Sequence, residues 1–153
     1  ALFTLRMFNP NLEALKHMFR SEHCFPSLGD AGAHVTQVMD AGWATFMLSH
    51  WVRGTGFFTM GEAVKRMTSM PARIMGLKDR GTLAAGKRAD INVFDAGKVS
   101  ELQPELVSDF PGGASRFIQR STGYKATLVN GEVNVLDGEL TGTRAGSVLR
   151  HGG

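Results

Sequence analysis

The dipeptide Asn130-Gly131, set between two runs that alternate apolar and polar residues, constrains this chain more tightly than any other feature. A two-residue hairpin whose twist matches its strands needs positive φ at both turn positions, and Asn-Gly meets that need most readily. Lys125-Ala126-Thr127-Leu128-Val129 and Glu132-Val133-Asn134-Val135-Leu136 are therefore predicted as paired antiparallel strands. Ala89-Asp90-Ile91-Asn92-Val93-Phe94-Asp95 has the same alternation and reads as a third, half-buried strand. Residues 96–124 show no clear period, and Pro111-Gly112-Gly113 reads as a loop.

The first 76 residues have a different rhythm. Asn9-Pro10-Asn11 is a helix start signal, and Leu12, Leu15, Met18 and Phe19 follow at helical spacing, giving a helix over about residues 11–20. His23-Cys24-Phe25-Pro26-Ser27-Leu28 is short and apolar and runs into Gly29-Asp30-Ala31-Gly32. The expectation is a buried strand over about 23–29 ending in a glycine-rich loop. Apolar residues at 35, 38, 39, 43, 46, 47 and 51 mark one face of a helix over about 42–53, with Asp40 as a plausible N-cap and a stop near Gly54. Upstream of Asp40, loop and helix fit equally well. Thr59 and Glu62 form a capping-box pair that opens a helix over about 60–70, and Pro71 and Gly76 bracket a short one over 72–75. Residues 1–76 thus read as α/β and residues 77–153 as antiparallel β, with no internal repeat.

That arrangement is incomplete as a fold. A parallel strand needs hydrogen-bonding neighbours on both sides, and three or four strands are few for an independent sheet. Part of the core is expected to lie in another polypeptide. The consequence is self-association, or an exposed apolar surface of about several hundred Å² where the missing structure would sit.

Composition narrows the function classes. Hydrophobic residues make up 42% and charged residues 20%, which fits a globular chain. The net charge of +3 comes from 17 basic residues scattered among 14 acidic ones, without the basic run that nucleic-acid binding calls for. No apolar run of about 18 residues is present, so no membrane span is expected. The single cysteine, Cys24, excludes an intrachain disulfide and fits a reducing compartment. It reads as a small buried hydrophobe rather than a nucleophile. The chain opens on Ala1-Leu2-Phe3 with no signal peptide, which suggests a processed or truncated product and makes a cytoplasmic location the default.

Asp30 is the strongest catalytic candidate. It follows the expected strand directly, at the end where α/β barrels collect their active sites, and small residues flank it. His34, four residues on, offers a second polar group. The plainer alternative is an Asp capping the next turn beside a solvated His. His50 shares a helix face with Phe46 and Met47 and reads as structural; His17 and His23 have no metal spacing, and His151 lies in a tail. Zinc needs three or four N, O or S ligands, and the chain has no HxH, HExxH or CxxC. The 19 glycines fall mostly at turns and form no GxGxxG after a strand, so no phosphate cradle is expected.

The run Leu28-Gly29-Asp30-Ala31-Gly32-Ala33-His34 resembles the loop after the eighth barrel strand in the N-acyl-D-amino-acid deacylases of the amidohydrolase superfamily. Phe58-Thr59-Met60-Gly61-Glu62-Ala63-Val64, continuing to Pro71-Ala72, resembles the helix pair that follows it. Residues 76–95, from Gly76-Leu77-Lys78 to Val93-Phe94-Asp95, resemble the superfamily's return strand from barrel to small β-domain. Val129-Asn130-Gly131-Glu132 and Asp137-Gly138-Glu139-Leu140-Thr141-Gly142 resemble the family's closing hairpin and tail.

The resemblance implies the last strand and helices of a TIM-type barrel over residues 1–76, then the C-terminal strands of a composite β-domain over residues 77–153. It implies a zinc-dependent hydrolase that cleaves an N-acyl amino acid to a carboxylate and a free amine. Asp30 would bind the metal or its water and shuttle a proton to the leaving amine, while His34 would line the pocket. The family's HxH pair, its bridging ligand and its later histidines have no counterparts here, so the chain by itself is expected to be inactive. A dihydroorotase-like or hydantoinase-like amidohydrolase is the runner-up within the superfamily. A non-catalytic assembly module is the alternative outside it.

Overall fold

The computed structural model describes residues 10–27, 29–37 and 39–150. Leu28, Val38 and His151, each used in the sequence reading, lie outside them. Helix α1 (Leu12–Phe19) starts at Asn11, whose side chain accepts the N–H groups of Glu13 and Ala14 at 3.0 and 3.2 Å. Two otherwise orphaned donors are thereby satisfied.

The expected helix over 42–53 is present, but its hydrogen bonding changes partway. Helix α2 (Trp43–Phe46) is α-helical and continues as a π-helix over Met47–Gly54. Buried Met47, Leu48 and Trp51 suit i→i+4 and i→i+5 winding alike, so apolar spacing does not separate the two. Asp40 does not cap this helix. Gly42, which has no side chain to cap with, holds the N-cap position, and the Asp40 carboxylate is engaged by the backbone of Asp30 instead.

Helix α3 (Met60–Met67) carries the predicted capping box, with Thr59 and Glu62 each bonding the other's backbone. Helix α4 (Ser69–Ile74) begins sooner than expected, since the chain breaks at Thr68 with φ −128° and ψ −80°. Pro71 therefore falls in the first turn of α4, where its missing N–H leaves no bond unmade. Phe19, Met47, Leu48, Trp51, Phe58 and Ala63 form the core of this half, and Val99 joins them from the second half. Phe19 meets Trp51 edge-on at 5.6 Å between ring centroids.

The strand expected over 23–29 does not form among the described residues; residues 24–27 and 29 have no regular structure. A strand exists through its hydrogen-bonded neighbours, and among the described residues none lies alongside. Arg66 instead donates to the carbonyls of Ser21 and Cys24. Cys24 is half-buried against the helical core and free, in an irregular segment rather than a strand.

The second half contains strands β1 (Ile91–Phe94), β2 (Ser100–Glu101), β3 (Glu105–Val107), β4 (Arg116–Ile118), β5 (Ser121–Thr122), β6 (Tyr124–Val129), β7 (Glu132–Leu136) and β8 (Glu139–Leu140). The main antiparallel sheet runs β1-β6-β7-β8, and β2-β5 and β3-β4 form two small ladders. Asn130 and Gly131 adopt φ values of 52° and 86°, as the hairpin turn requires. In the segment without period, Pro111–Gly113 makes a short 3-10 turn. Pairing of Ile91 with Leu128 and Leu128 with Val133, and of Val93 with Ala126 and Ala126 with Leu136, puts six apolar residues on one sheet face. Among the described residues no helix is long and apolar enough to cross a membrane.

Candidate functional site

Residues 29–42 form a loop that closes on itself. At its entrance the N–H of Asp30 donates to Oδ2 of Asp40 at 2.8 Å, and the carbonyl of Asp30 accepts from the N–H of Ala33 at 2.9 Å. Both backbone groups of Asp30 are thus committed while its side chain is exposed to solvent. A second turn follows at once, with the carbonyl of His34 accepting from Gln37 N–H at 2.6 Å. His34 is exposed and sits at φ 47°, a left-handed conformation uncommon for a residue with a Cβ and associated with functional loops. The two sequence candidates therefore head consecutive turns of one loop.

Gly29 makes the entrance possible. A Cβ there would lie 2.9 Å from Cγ and Oδ1 of Asp40 and 3.0 Å from its carbonyl oxygen, so the carboxylate occupies the space a side chain would take.

The β-region holds the loop from outside. The carbonyl of Val35 accepts from Phe117 N–H at 2.8 Å, and Gly42 N–H donates to Oε1 of Gln119 at 2.8 Å. Nε2 of Gln119 donates in turn to the Leu102 carbonyl at 3.0 Å. The seam continues along the helix, where Ser49 Oγ donates to Glu101 Oε2 at 2.7 Å and Arg53 donates to the carbonyls of Ala96 and Val99. Strand β4 and the residue after it thus fix the loop relative to the helix that follows.

Sequence reasoning missed Asp40, Phe117 and Gln119 as supports of this loop. Asp40 resembled a helix cap because it stands just before one. Phe117 and Gln119 lie about eighty residues away, where no local spacing points to them. The small residue next to Asp30 was the one available signal.

Among the described residues no three His, Cys, Asp or Glu side chains come together as a metal site would require. Asp30 offers one carboxylate. His50 stacks on Phe46 with centroids 4.6 Å apart and meets Trp51 edge-on, as a packed structural histidine does. A concavity of about 610 Å³ lies between α2 and the polar face of the sheet and is lined by Thr45, Asn92, Gln119, Tyr124 and Thr127 together with Arg120, Asp137 and Glu139. Neither Asp30 nor His34 lines it. We place the candidate chemistry on the loop, because an exposed carboxylate and an exposed imidazole head its consecutive turns, whereas the concavity's carboxylates, Asp137 and Glu139, have no histidine or cysteine among the residues lining it with them.

The model of the amidohydrolase family matches residues 10–135. An N-acyl-D-glutamate deacylase of Alcaligenes xylosoxydans xylosoxydans is 41% identical over 91 residues, covering 58% of this chain and 17% of the relative. A D-aminoacylase of the same organism is 35% identical over 109 residues, covering 70% of this chain and 21% of the relative. Among solved structures, a D-aminoacylase variant in complex with CuCl2 superposes with a TM-score of 0.55 at 32% identity, covering 69% of this chain and 20% of that one. The chain spans about a fifth of the length of the curated relatives it matches.

Proposed function

The chain belongs to the amidohydrolase family, and from that premise we propose that it forms the C-terminal part of a hydrolase that cleaves the amide bond of N-acyl-D-amino acids. Asp30 is the catalytic carboxylate. It accepts a proton from the attacking water as the carbonyl carbon is attacked, and returns it to the nitrogen as the C–N bond breaks. The products are a carboxylate and a free amine. His34 lines the substrate side of the same loop.

The observation that carries this reading is the state of Asp30: its backbone is fixed at both N–H and C=O, and its carboxylate is free and exposed. A proton shuttle needs that combination, because the fixed backbone sets where the side chain starts and an unpartnered carboxylate has its lone pairs open to the proton. The similarity to an N-acyl-D-glutamate deacylase and a D-aminoacylase supports the substrate class. We further propose a divalent metal for the whole enzyme, zinc in the first instance; the copper complex of the D-aminoacylase neighbour supports a divalent metal and not zinc in particular. The described residues do not fit that group unaided, since Asp30 is a single donor. This chain alone is accordingly proposed to bind no stoichiometric zinc and to be inactive.

The test is hydrolysis of N-acetyl-D-glutamate and other N-acetyl-D-amino acids by the intact protein and its Asp30→Ala variant, with metal content by ICP-MS. Turnover that vanishes in Asp30→Ala supports the reading. Turnover that survives it, or zinc near one per chain with activity in residues 1–153 alone, sinks it.

A further inference from the structure

We infer that Asp40 is the positioning residue for Asp30, and that it acts by clamping the entrance of the loop on which Asp30 and His34 stand. The inference rests on the catalytic reading of Asp30 given above. Asp40 Oδ2 accepts the Asp30 N–H across ten residues of chain, and Ala33 holds the Asp30 carbonyl. With both peptide groups flanking its Cα restrained, the direction of the Asp30 Cα–Cβ bond is set by the backbone.

Asp40 is itself anchored. Its carbonyl accepts the N–H of Trp43 at 3.3 Å, at the start of α2, and Gly42 between them is tied to Gln119. The carboxylate lies against Gly29, where any side chain would displace it. The arrangement therefore transmits the fixed position of α2 and the β-region to Asp30 through one acceptor oxygen. An acceptor, rather than a negative charge as such, is what the geometry uses, so an amide oxygen at position 40 preserves it. A one-ångström displacement of a catalytic group costs about 100-fold in rate.

In the intact protein, Asp40→Ala is expected to lower kcat by about 100-fold with KM nearly unchanged, whereas Asp40→Asn retains most of the activity because its Oδ1 still accepts. Gly29→Ala, which pushes the carboxylate aside, should reproduce the Asp40→Ala effect. Amide hydrogen exchange followed by NMR on residues 1–153 gives a second readout, independent of turnover and of metal. The Asp30 amide exchanges faster in Asp40→Ala and at the wild-type rate in Asp40→Asn. Wild-type kcat in Asp40→Ala, failure of Asp40→Asn to rescue, or an Asp30 amide indifferent to residue 40 would each overturn the inference. If Asp30→Ala is inactive while Asp40→Ala is not, only the positioning role falls. If Asp30→Ala is active, the catalytic reading falls and takes this one with it.

Discussion

The hydroxyl of Thr45 and the phenol oxygen of Tyr124 lie 3.0 Å apart, joining helix α2 to the central strand β6. Thr45 is 7% exposed, so its hydroxyl depends mainly on this partner. Leaving a buried hydroxyl unpaired costs about 1–3 kcal/mol, while removing both partners together costs less. Tyr124→Phe and Thr45→Val should each destabilise the chain, and the double variant should be more stable than the sum of the two losses allows. Urea unfolding of the four proteins gives the coupling directly; strict additivity would mean the bond contributes nothing.

Two glycines with nearly equal φ separate backbone strain from crowding. Gly123 (φ 83°) has the backbone of Lys98 and Val99 where a Cβ would stand, and Gly138 (φ 90°) has nothing within 4 Å. Alanine at either site takes the left-handed penalty of about 1–2 kcal/mol, and only Gly123→Ala adds an overpacking cost of about 1–3 kcal/mol. Gly123→Ala should therefore lower Tm clearly more than Gly138→Ala in a thermal scan. Equal shifts would show that Val99 gives way freely, against its complete burial.

Local chemistry was legible in the sequence wherever a short-range rule decides it. Asn11, the Thr59–Glu62 box and the Asn130-Gly131 turn each act within four residues, and each stands where the residue types put it. What was not legible depends on partners far along the chain. The apolar run 23–28 has strand character, yet strand formation is decided by a neighbour rather than by the run itself. Asp40 has N-cap character, yet the N–H of Asp30 competes for its carboxylate and wins. The site candidates Asp30 and His34 came from their place within and just after a glycine-rich loop that follows an apolar run. The supports that hold the loop, Phe117 and Gln119, lie in a segment whose sequence has no period to read.

The capping box gives the chain a defined response to acid. The backbone N–H of Thr59, and then its hydroxyl, hold the Glu62 carboxyl below its ordinary value of 4.5. A group whose folded pKa is depressed adds stability that is complete above the unfolded value and is lost as pH falls through the folded one. Glu62→Gln should accordingly be less stable than wild type at pH 7, with the gap closing as pH drops below 4.5. Denaturant midpoints of both proteins across pH 7 to about pH 2.5 check this, a range that spans the ordinary carboxylate values. A gap that stays constant with pH would remove the carboxylate from the account. Asp109, held low by its two-pronged pairing with Arg116 at 2.7 and 2.8 Å, should titrate in the same sense.

The apolar sheet face bears on association. Ile91, Val93, Ala126, Leu128, Val133 and Leu136 share it, and Val93, Val133 and Leu136 are 47%, 37% and 53% exposed. Contiguous apolar surface of this kind is uncommon on soluble monomers and tends to be covered by another surface. For the chain in isolation, the available cover is a second copy. Light scattering should show a mass that rises with concentration, and ANS should bind the dilute form. Val93→Lys with Leu136→Lys places two charges on the face, where burying them against another copy is costly. The double variant should stay monomeric and lose ANS binding while keeping the circular dichroism of the parent. A wild-type chain that is monomeric at every concentration and binds no dye would show that this face needs no cover.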